Sequence, residues 1–549
     1  MFKRLTPRMI LIGALLGVVL CVGARNYYLP PELSRSFSHV PDGVENTLAM
    51  KNLMDGRGFT IRLNGVYYPS RYQPWFSLLF VAPALYFADG NVLCSYYGCF
   101  AAGVVALFAA FLVGRKIGGG MCGILLAAVL CVLPGFSRYA NVPMTEVPYT
   151  MLLLFAAAAW LKMCGRREAR IGDCLVFGIC CALSGALRST ALVLPAIALL
   201  PLLRRRPERK TLVVELAALW LPAAVVAAAN LIYNKAVFGG FFRSGYHFWE
   251  PFCYDYFENT FAWRFLIANL KSYANTANIC FILIPALVTL SCLAILRKPK
   301  RAGFDELAAF AVFSAALTVI TFAVYLPYFS YQEERFFVPV QTLTTLCGAA
   351  AAAKTVLSAI RRGGEAVIGA AALAVMFVPW PSPYAKQLEH DDLRSAKIAL
   401  LDRMHDELPE NAVLLTIFQQ GAAEYFFVGR SGRRIIPFYR CYEYAQTVTA
   451  AHRLPAPPGG FRSAENGLEF LHYFAGHGGV LPYPLVYSEA PEEVDKLVSS
   501  GVPVYISDYT LFIHRDARRI ARRYRLADVG IPGFLHVYRL LPAAASKGN

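Results

Sequence analysis

Residues Trp75 to Phe87 read WFSLLFVAPALYF, and whether this apolar run crosses a bilayer decides the orientation of everything after it. It falls short of the roughly 20 apolar residues a helical span needs, follows Pro74 and is broken by Pro83. Basic clusters downstream settle the matter. If the run does not cross, Arg115/Lys116, Arg166/Arg167/Arg170, Arg204/Arg205/Arg206/Lys210, Arg297/Lys298/Lys300/Arg301 and Arg361/Arg362 share one side with Lys3 and Arg4. If it crosses, nearly all of them lie opposite. The first arrangement obeys the positive-inside bias, so Trp75 to Phe87 reads as a juxtamembrane or half-inserted helix.

Composition agrees. A chain of 549 residues that is 57% hydrophobic and 16% charged is too apolar for a soluble protein. Its mean hydropathy is +0.45. The net charge of +17 sits in short clusters between apolar runs, which reports topology and anionic headgroups rather than a nucleic-acid partner. Most of the 14 cysteines lie inside apolar runs, where a thiol acts as a small hydrophobe, and no metal-like or disulfide spacing appears. The run Met9 to Gly23 reads as an uncleaved first span. Further candidates are Leu93 to Val113, Gly118 to Pro134, Val147 to Met163, Leu175 to Leu187, Thr190 to Leu203, Leu212 to Tyr233, Ile279 to Leu296, Leu307 to Leu326, Phe337 to Ala353 and Ala366 to Pro379. The expected fold is a polytopic α-helical membrane protein of about 11 to 13 transmembrane helices. Residues 1–380 form the membrane domain, with 26–73 as its first outer loop. Residues 381–549 form an extracytoplasmic α/β domain, because strand-like runs (Ala412 to Phe418, Arg434 to Tyr439, Val502 to Ser507, Phe534 to Leu540) alternate with helical patterns (Asp391 to Leu408, Pro491 to Ser499, Leu511 to Arg525). Between them LPAPPGGF, Leu454 to Phe461, reads as a loop.

The outer face then carries the candidate chemistry. In Ser38 to Gly58, SHVPDGVENTLAMKNLMDGRG, Asp42 precedes a helical pattern and Glu45 follows three residues later, the spacing of a capping box. Asp42 can cap and still present one oxygen to a substrate; Glu45 is assigned to the cap. Glu146 stands at the outer end of a span, where snorkelling and function are equally open. Four arginines complete the set: Arg71, Arg188, Arg243 and Arg335. Arg188 is alone between apolar halves and needs an anion from protein or ligand, whereas Arg335 has Glu333 and Glu334 beside it. Two carboxylates and several arginines on one membrane face suit binding of a lipid-linked phosphate and activation of a hydroxyl or amine acceptor. A lipid-linked saccharide transporter or a non-catalytic envelope-assembly protein is the alternative; nearly uncharged spans disfavour a transport path.

The stretches PDGVENTLAMKNLMDGRGF, YYPSRYQPWFSLLF, SRYANVPMTEVPY, LSGALRSTALVLP, NKAVFGGFFRSGY and EERFFVPV, in this order, resemble the GT-C superfamily of membrane glycosyltransferases. The resemblance is nearest to the bacterial branch related to protein O-mannosyltransferases and aminoarabinose transferases, and spans roughly Met9 to Val340. It implies a polyprenyl-phosphate sugar donor, transfer with inversion to a lipid, glycan or protein on the outer face of the cell membrane, and Asp42 as base toward the acceptor. Glu146 matches the second acidic position, and Arg188 and Arg335 would contact donor phosphate. Arg71, Arg243 and Tyr246 join them as substrate contacts. No metal or other cofactor is expected. This chain departs from the pattern with Asn46 where an aromatic is frequent, and with Glu rather than Asp at the second position.

Overall fold

The computed structural model describes residues 6–28, 41–63, 65–165, 171–205, 208–249, 260–275, 286, 289–290, 305–328, 334–360, 363–377, 398–416, 420–429, 431–437, 490–513, 515–531 and 536–543. The chain divides into two compact units. One comprises Met1–Pro30, Trp75–Ala236 and Phe261–Tyr384; the other gathers Pro31–Pro74, Val237–Thr260 and Ala385–Asn549. Residues 31–74, next to the first helix in the chain, therefore belong with the C-terminal third.

The first unit is helical. Among the described residues, six helices are long and apolar enough to cross a membrane: Pro7–Tyr27, Val92–Gly118, Glu146–Cys164, Arg209–Phe238, Glu306–Tyr325 and Arg335–Ala359. A seventh candidate is the pair Gly120–Val132 and Pro134–Ala140, bent by 67°. Its bend follows from sequence, since Leu133 precedes a proline and is driven to extended backbone. Shorter apolar helices cover Ser77–Phe87, Ile171–Leu187, Ser189–Leu202 and Gly364–Phe377. The candidate span Ile279 to Leu296 lies almost wholly outside the described residues, as does the LPAPPGGF loop.

The run that decided orientation is a π turn, Ser77–Val81, passing into an α-helix, Ala82–Phe87. Pro83 has no N–H to return to Leu79, so the preceding turn widens by one residue. At 1.5 Å per residue the helical stretch covers about 16 Å, half of a ~30 Å hydrocarbon core. Leu78, Leu79, Tyr86 and Phe87 point outward.

Lipid supplies no hydrophobic drive between helices, so these pack through small residues. A Cβ on Gly114 would fall 2.7 Å from the Cys122 carbonyl, and one on Gly123 would fall 2.6 Å from that of Phe111. Backbones of neighbouring helices thus touch on both sides. Helix Glu146–Cys164 is the most enclosed span. Its Trp160 donates to the Ala309 carbonyl at 2.8 Å and packs on Phe177.

The second unit joins one helix, Pro41–Met54, a hairpin and a five-stranded sheet. The hairpin pairs β1 (Thr60–Leu63) with β2 (Val66–Pro69), ending on Leu63 opposite Val66, with Gly65 at φ +83°. Asn-Gly between β-prone runs is the strongest short hairpin signal. The sheet runs β4-β3-β5-β7-β6, with β3 Val413–Thr416, β4 Arg434–Pro437, β5 Val504–Ser507, β6 Tyr524–Asp528 and β7 Val537–Pro542. Pairings β4/β3 and β3/β5 are parallel, β5/β7 and β7/β6 antiparallel. Strand alternation sends Val413 and Leu415 to one face with Val494 and Ile520, and Leu414 to the other with Met404 and Phe427. Helices cover both faces. One expectation is corrected: Leu511 to Arg525 is two short helices, Asp508–Ile513 and Arg515–Ala521, and Tyr524 opens strand β6. Leu526 pairs with Leu540 there, and cross-strand pairing outweighs the basic helical pattern.

Candidate active site

The candidate residues fall into two sets, one in each unit. In the second unit Pro41 opens the helix, and its missing N–H suits that position. Asp42 therefore lies inside the first turn, half-buried, rather than at the cap. A carboxylate there is favoured by the helix dipole. Glu45 is not a capping residue either. It is buried, and its Oε1 accepts from Ser70 Oγ at 2.9 Å and the Arg71 backbone N–H at 2.7 Å. Its Oε2 accepts from Arg71 Nε at 2.9 Å. This correction has a plain cause: three donors arriving from the end of β2 outcompete a single backbone N–H.

Arg71 is thus anchored to the helix by its Nε edge, with its guanidinium 5.9 Å from the ring centroid of Tyr72. Tyr72 meets Tyr246 edge-to-face at 5.9 Å. Burial holds the Tyr72 phenol well above its ordinary range, and the negative charge of Asp42 pushes it further in the same direction. The phenol is therefore a neutral donor beside that carboxylate at all ordinary pH. Gly245 allows this close assembly, since a Cβ there would fall 2.3 Å from Arg71 Cα. Arg243 lies exposed in the turn before it, its N–H bonded to the Gly240 carbonyl. The Ser244 N–H donates to His247 Nδ1 at 3.1 Å, closing the start of the short helix Gly245–Trp249.

In the first unit, Glu146 is the first residue of its span and Arg188 its partner. Arg188 leaves helix Ile171–Leu187 in extended conformation, φ −145°, before a 3-10 helix from Ser189 to Ala198. The sequence around Arg188 is broken as its short apolar halves suggested, and the break turns the guanidinium inward. Arg188 Nη2 donates to Glu146 Oε1 at 2.6 Å and Nε to Thr145 Oγ1 at 3.2 Å. Side-chain exposure is 10% for the arginine and 1% for the glutamate, so the anion that Arg188 requires comes from the protein. Glu146 Oε2 is buried without a hydrogen bond among the described residues. The guanidinium also sits 5.6 Å from the Tyr149 ring and 5.5 Å from Phe336. Arg335 lies over the same Phe336 at 5.2 Å, and Tyr325 stacks on that ring at 4.2 Å. One aromatic ring thus contacts both cations. Glu333 lies outside the described residues.

Tyr72, Thr145, Tyr149 and Phe336 fall within the stretches that carry the resemblance, but the sequence gives them no role, and only contact with an arginine or another ring marks them. Glu215 is buried at 1% exposure within Arg209–Phe238. A single acid in LVVELAAL was a signal that could have been taken. Among the described residues no group of three or more His, Cys, Asp or Glu comes together as a metal site.

No family model matches the chain, and no curated protein does so. Solved structures do. ArnT from Cupriavidus metallidurans in the apo state matches with a TM-score of 0.57 at 13% identity, over 97% of this chain and 98% of that one. The same protein bound to undecaprenyl phosphate matches at 0.55 and 13%, over 98% and 99%. Archaeal oligosaccharyltransferase AglB from Archaeoglobus fulgidus, in complex with an inhibitory peptide and a dolichol-phosphate, matches at 0.50 and 12%, over 95% and 73%. At such identities the likeness is one of fold. The expected architecture, helices long and apolar enough to cross a membrane followed by a sheet-containing C-terminal region, is the architecture observed, and these structures share that fold.

Proposed function

We propose that the protein is a membrane glycosyltransferase that moves a sugar from a polyprenyl-phosphate donor to an acceptor on the outer face of the membrane. The observation that carries this is the fold, shared over nearly the whole chain with ArnT, one structure of which holds undecaprenyl phosphate. Asp42 takes the proton of the acceptor hydroxyl or amine as that atom attacks the anomeric carbon. The bond from that carbon to the phosphate oxygen breaks, its electron pair leaves with the lipid phosphate, and configuration inverts. Developing charge on the phosphate calls for fixed cations, and guanidinium forks suit it.

Arg188 is supported in that role by its anchoring. Glu146 and Thr145 fix two of its nitrogens, and Nη1 makes no hydrogen bond among the described residues. Glu146, almost wholly buried, then acts as a positioning residue rather than a second base. Arg335, which lies over the same Phe336 ring as Arg188, is the second phosphate cation, and Arg71, Arg243 and Tyr246 are substrate contacts.

The test is consumption of polyprenyl-phosphate sugars by purified protein in lipid, across a panel of sugars. Turnover of at least one donor is expected, and Asp42→Asn should reduce it by about 10²- to 10⁴-fold, the usual contribution of a general base. Full activity in Asp42→Asn removes the base assignment. No consumption of any donor, with or without candidate acceptors, sinks the transferase reading.

A further inference from the structure

A cavity of about 410 Å³ opens among helices Val92–Gly118, Glu146–Cys164 and Ile171–Leu187, away from the Glu146–Arg188 pair. Its polar lining is Arg115, Lys116, Lys162 and Asp173, and Leu112, Phe155 and Val176 belong to its apolar lining. The volume lies in the ordinary range for a small-ligand site, ~300–1,000 Å³. Arg115 and Lys116 occupy the last turn of one helix and Lys162 the last turn of another, while Asp173 is in the first turn of the third. Topology signals and helix dipoles account for cations at such ends, but not for three of them rimming one hollow with a greasy side.

The apolar wall continues. Val105, Phe108, Leu112 and Arg115 share one helix face at spacings of three and four, and Val105 and Phe108 are exposed. Val176 and Ile179 extend the same kind of surface on the neighbouring helix, at 50% and 41% exposure. The hollow is thus a cationic cup at the end of an outward-facing apolar track. We propose that it binds an anionic phospholipid of the surrounding bilayer, with the headgroup phosphate on Arg115, Lys116 and Lys162 and an acyl chain along Phe108 and Val105. Asp173 faces the headgroup as an acceptor for a hydroxyl or ammonium, which separates this site from a bare anion hole. By the charge pattern the site is on the cytoplasmic face, on the side opposite the proposed chemistry.

The test uses delipidated full-length protein and native mass spectrometry with phosphatidylglycerol and phosphatidylcholine of identical chains. Wild type should retain phosphatidylglycerol preferentially. The double substitution Arg115→Gln/Lys162→Gln should weaken that retention by about 30-fold, roughly 5-fold for each charge near a headgroup. Arg209→Gln/Lys210→Gln, which removes two basic residues outside the cavity, should leave it unchanged. Equal retention of both lipids by wild type overturns the proposal without any variant. Equal losses in both double variants reduce the effect to general surface charge and overturn it too. Displacement of the lipid by millimolar inorganic phosphate would identify a soluble-anion site instead.

Discussion

Arg188 carries its charge in a region where a lone cation is costly, and Glu146 supplies the compensation. Removing one member of such a buried pair leaves the other unneutralised, at about 3–5 kcal/mol. Glu146→Gln is accordingly expected to lower thermal stability in detergent by that amount and to depress transfer. Replacing both, as Glu146→Gln with Arg188→Met, should restore most of the stability and none of the transfer. Stability unchanged in the single variant would mean that the pair does not hold Arg188. The two residues were each legible in the sequence, one as a boundary acid and the other as an isolated cation. Their pairing was not, because they are separated by 42 positions and nothing local links them. Glu45 shows the same limit in reverse. Its local spacing to Asp42 fits a cap, but the donors that claim it come from Ser70 and Arg71, beyond the reach of a local pattern.

At the scale of elements, the turn Gly240–Arg243 and the helix Gly245–Trp249 dock against the end of β2 through a glycine. Gly245→Ala places a methyl on the Arg71 backbone, and overpacking of this kind costs about 1–3 kcal/mol. The expected result is lower thermal stability together with weaker transfer, because Arg71 and Tyr72 must shift with it. Gly13→Ala, where nothing lies within 4 Å, is the matching control and should change neither. Long apolar spans were readable from hydropathy, since burial of backbone polar groups in lipid leaves helices as the available form. The hairpin at Asn64-Gly65 carried an equally clear signal that a search for spans passes over. Strand β6 was hidden by its composition: Arg522, Arg523 and Arg525 extend a basic helical pattern, and only the partner strand β7 reveals the alternative.

For the whole molecule, the division into units matters more than the order of domains along the chain. Arg62 bonds the Gly429 carbonyl and pairs with buried Glu424 at 3.6 Å, and the Gly65 N–H also points at Glu424, at 3.4 Å. The hairpin therefore depends on residues far downstream. Deleting Ala385–Asn549 should leave a membrane-inserted chain whose segment Arg57 to Tyr68 becomes protease-sensitive and whose transfer activity is lost. Protection of that segment in the truncated chain would show that the first loop stands without its partner. Such a deletion thus removes more than a C-terminal appendage. It takes away the support beneath the helix that bears Asp42.

The contact between Gly65 and Glu424 also has a consequence in time. Its two ends are 359 residues apart in the chain. At about 5–20 residues per second, synthesis leaves the hairpin waiting on the order of 20–70 s for its counterpart. Throughout that interval β1 and β2 are an isolated two-stranded ribbon, marginal by itself in water. The helix that bears Asp42 gains this support only once residue 424 has been made, so a chain released before then is expected to show no transfer.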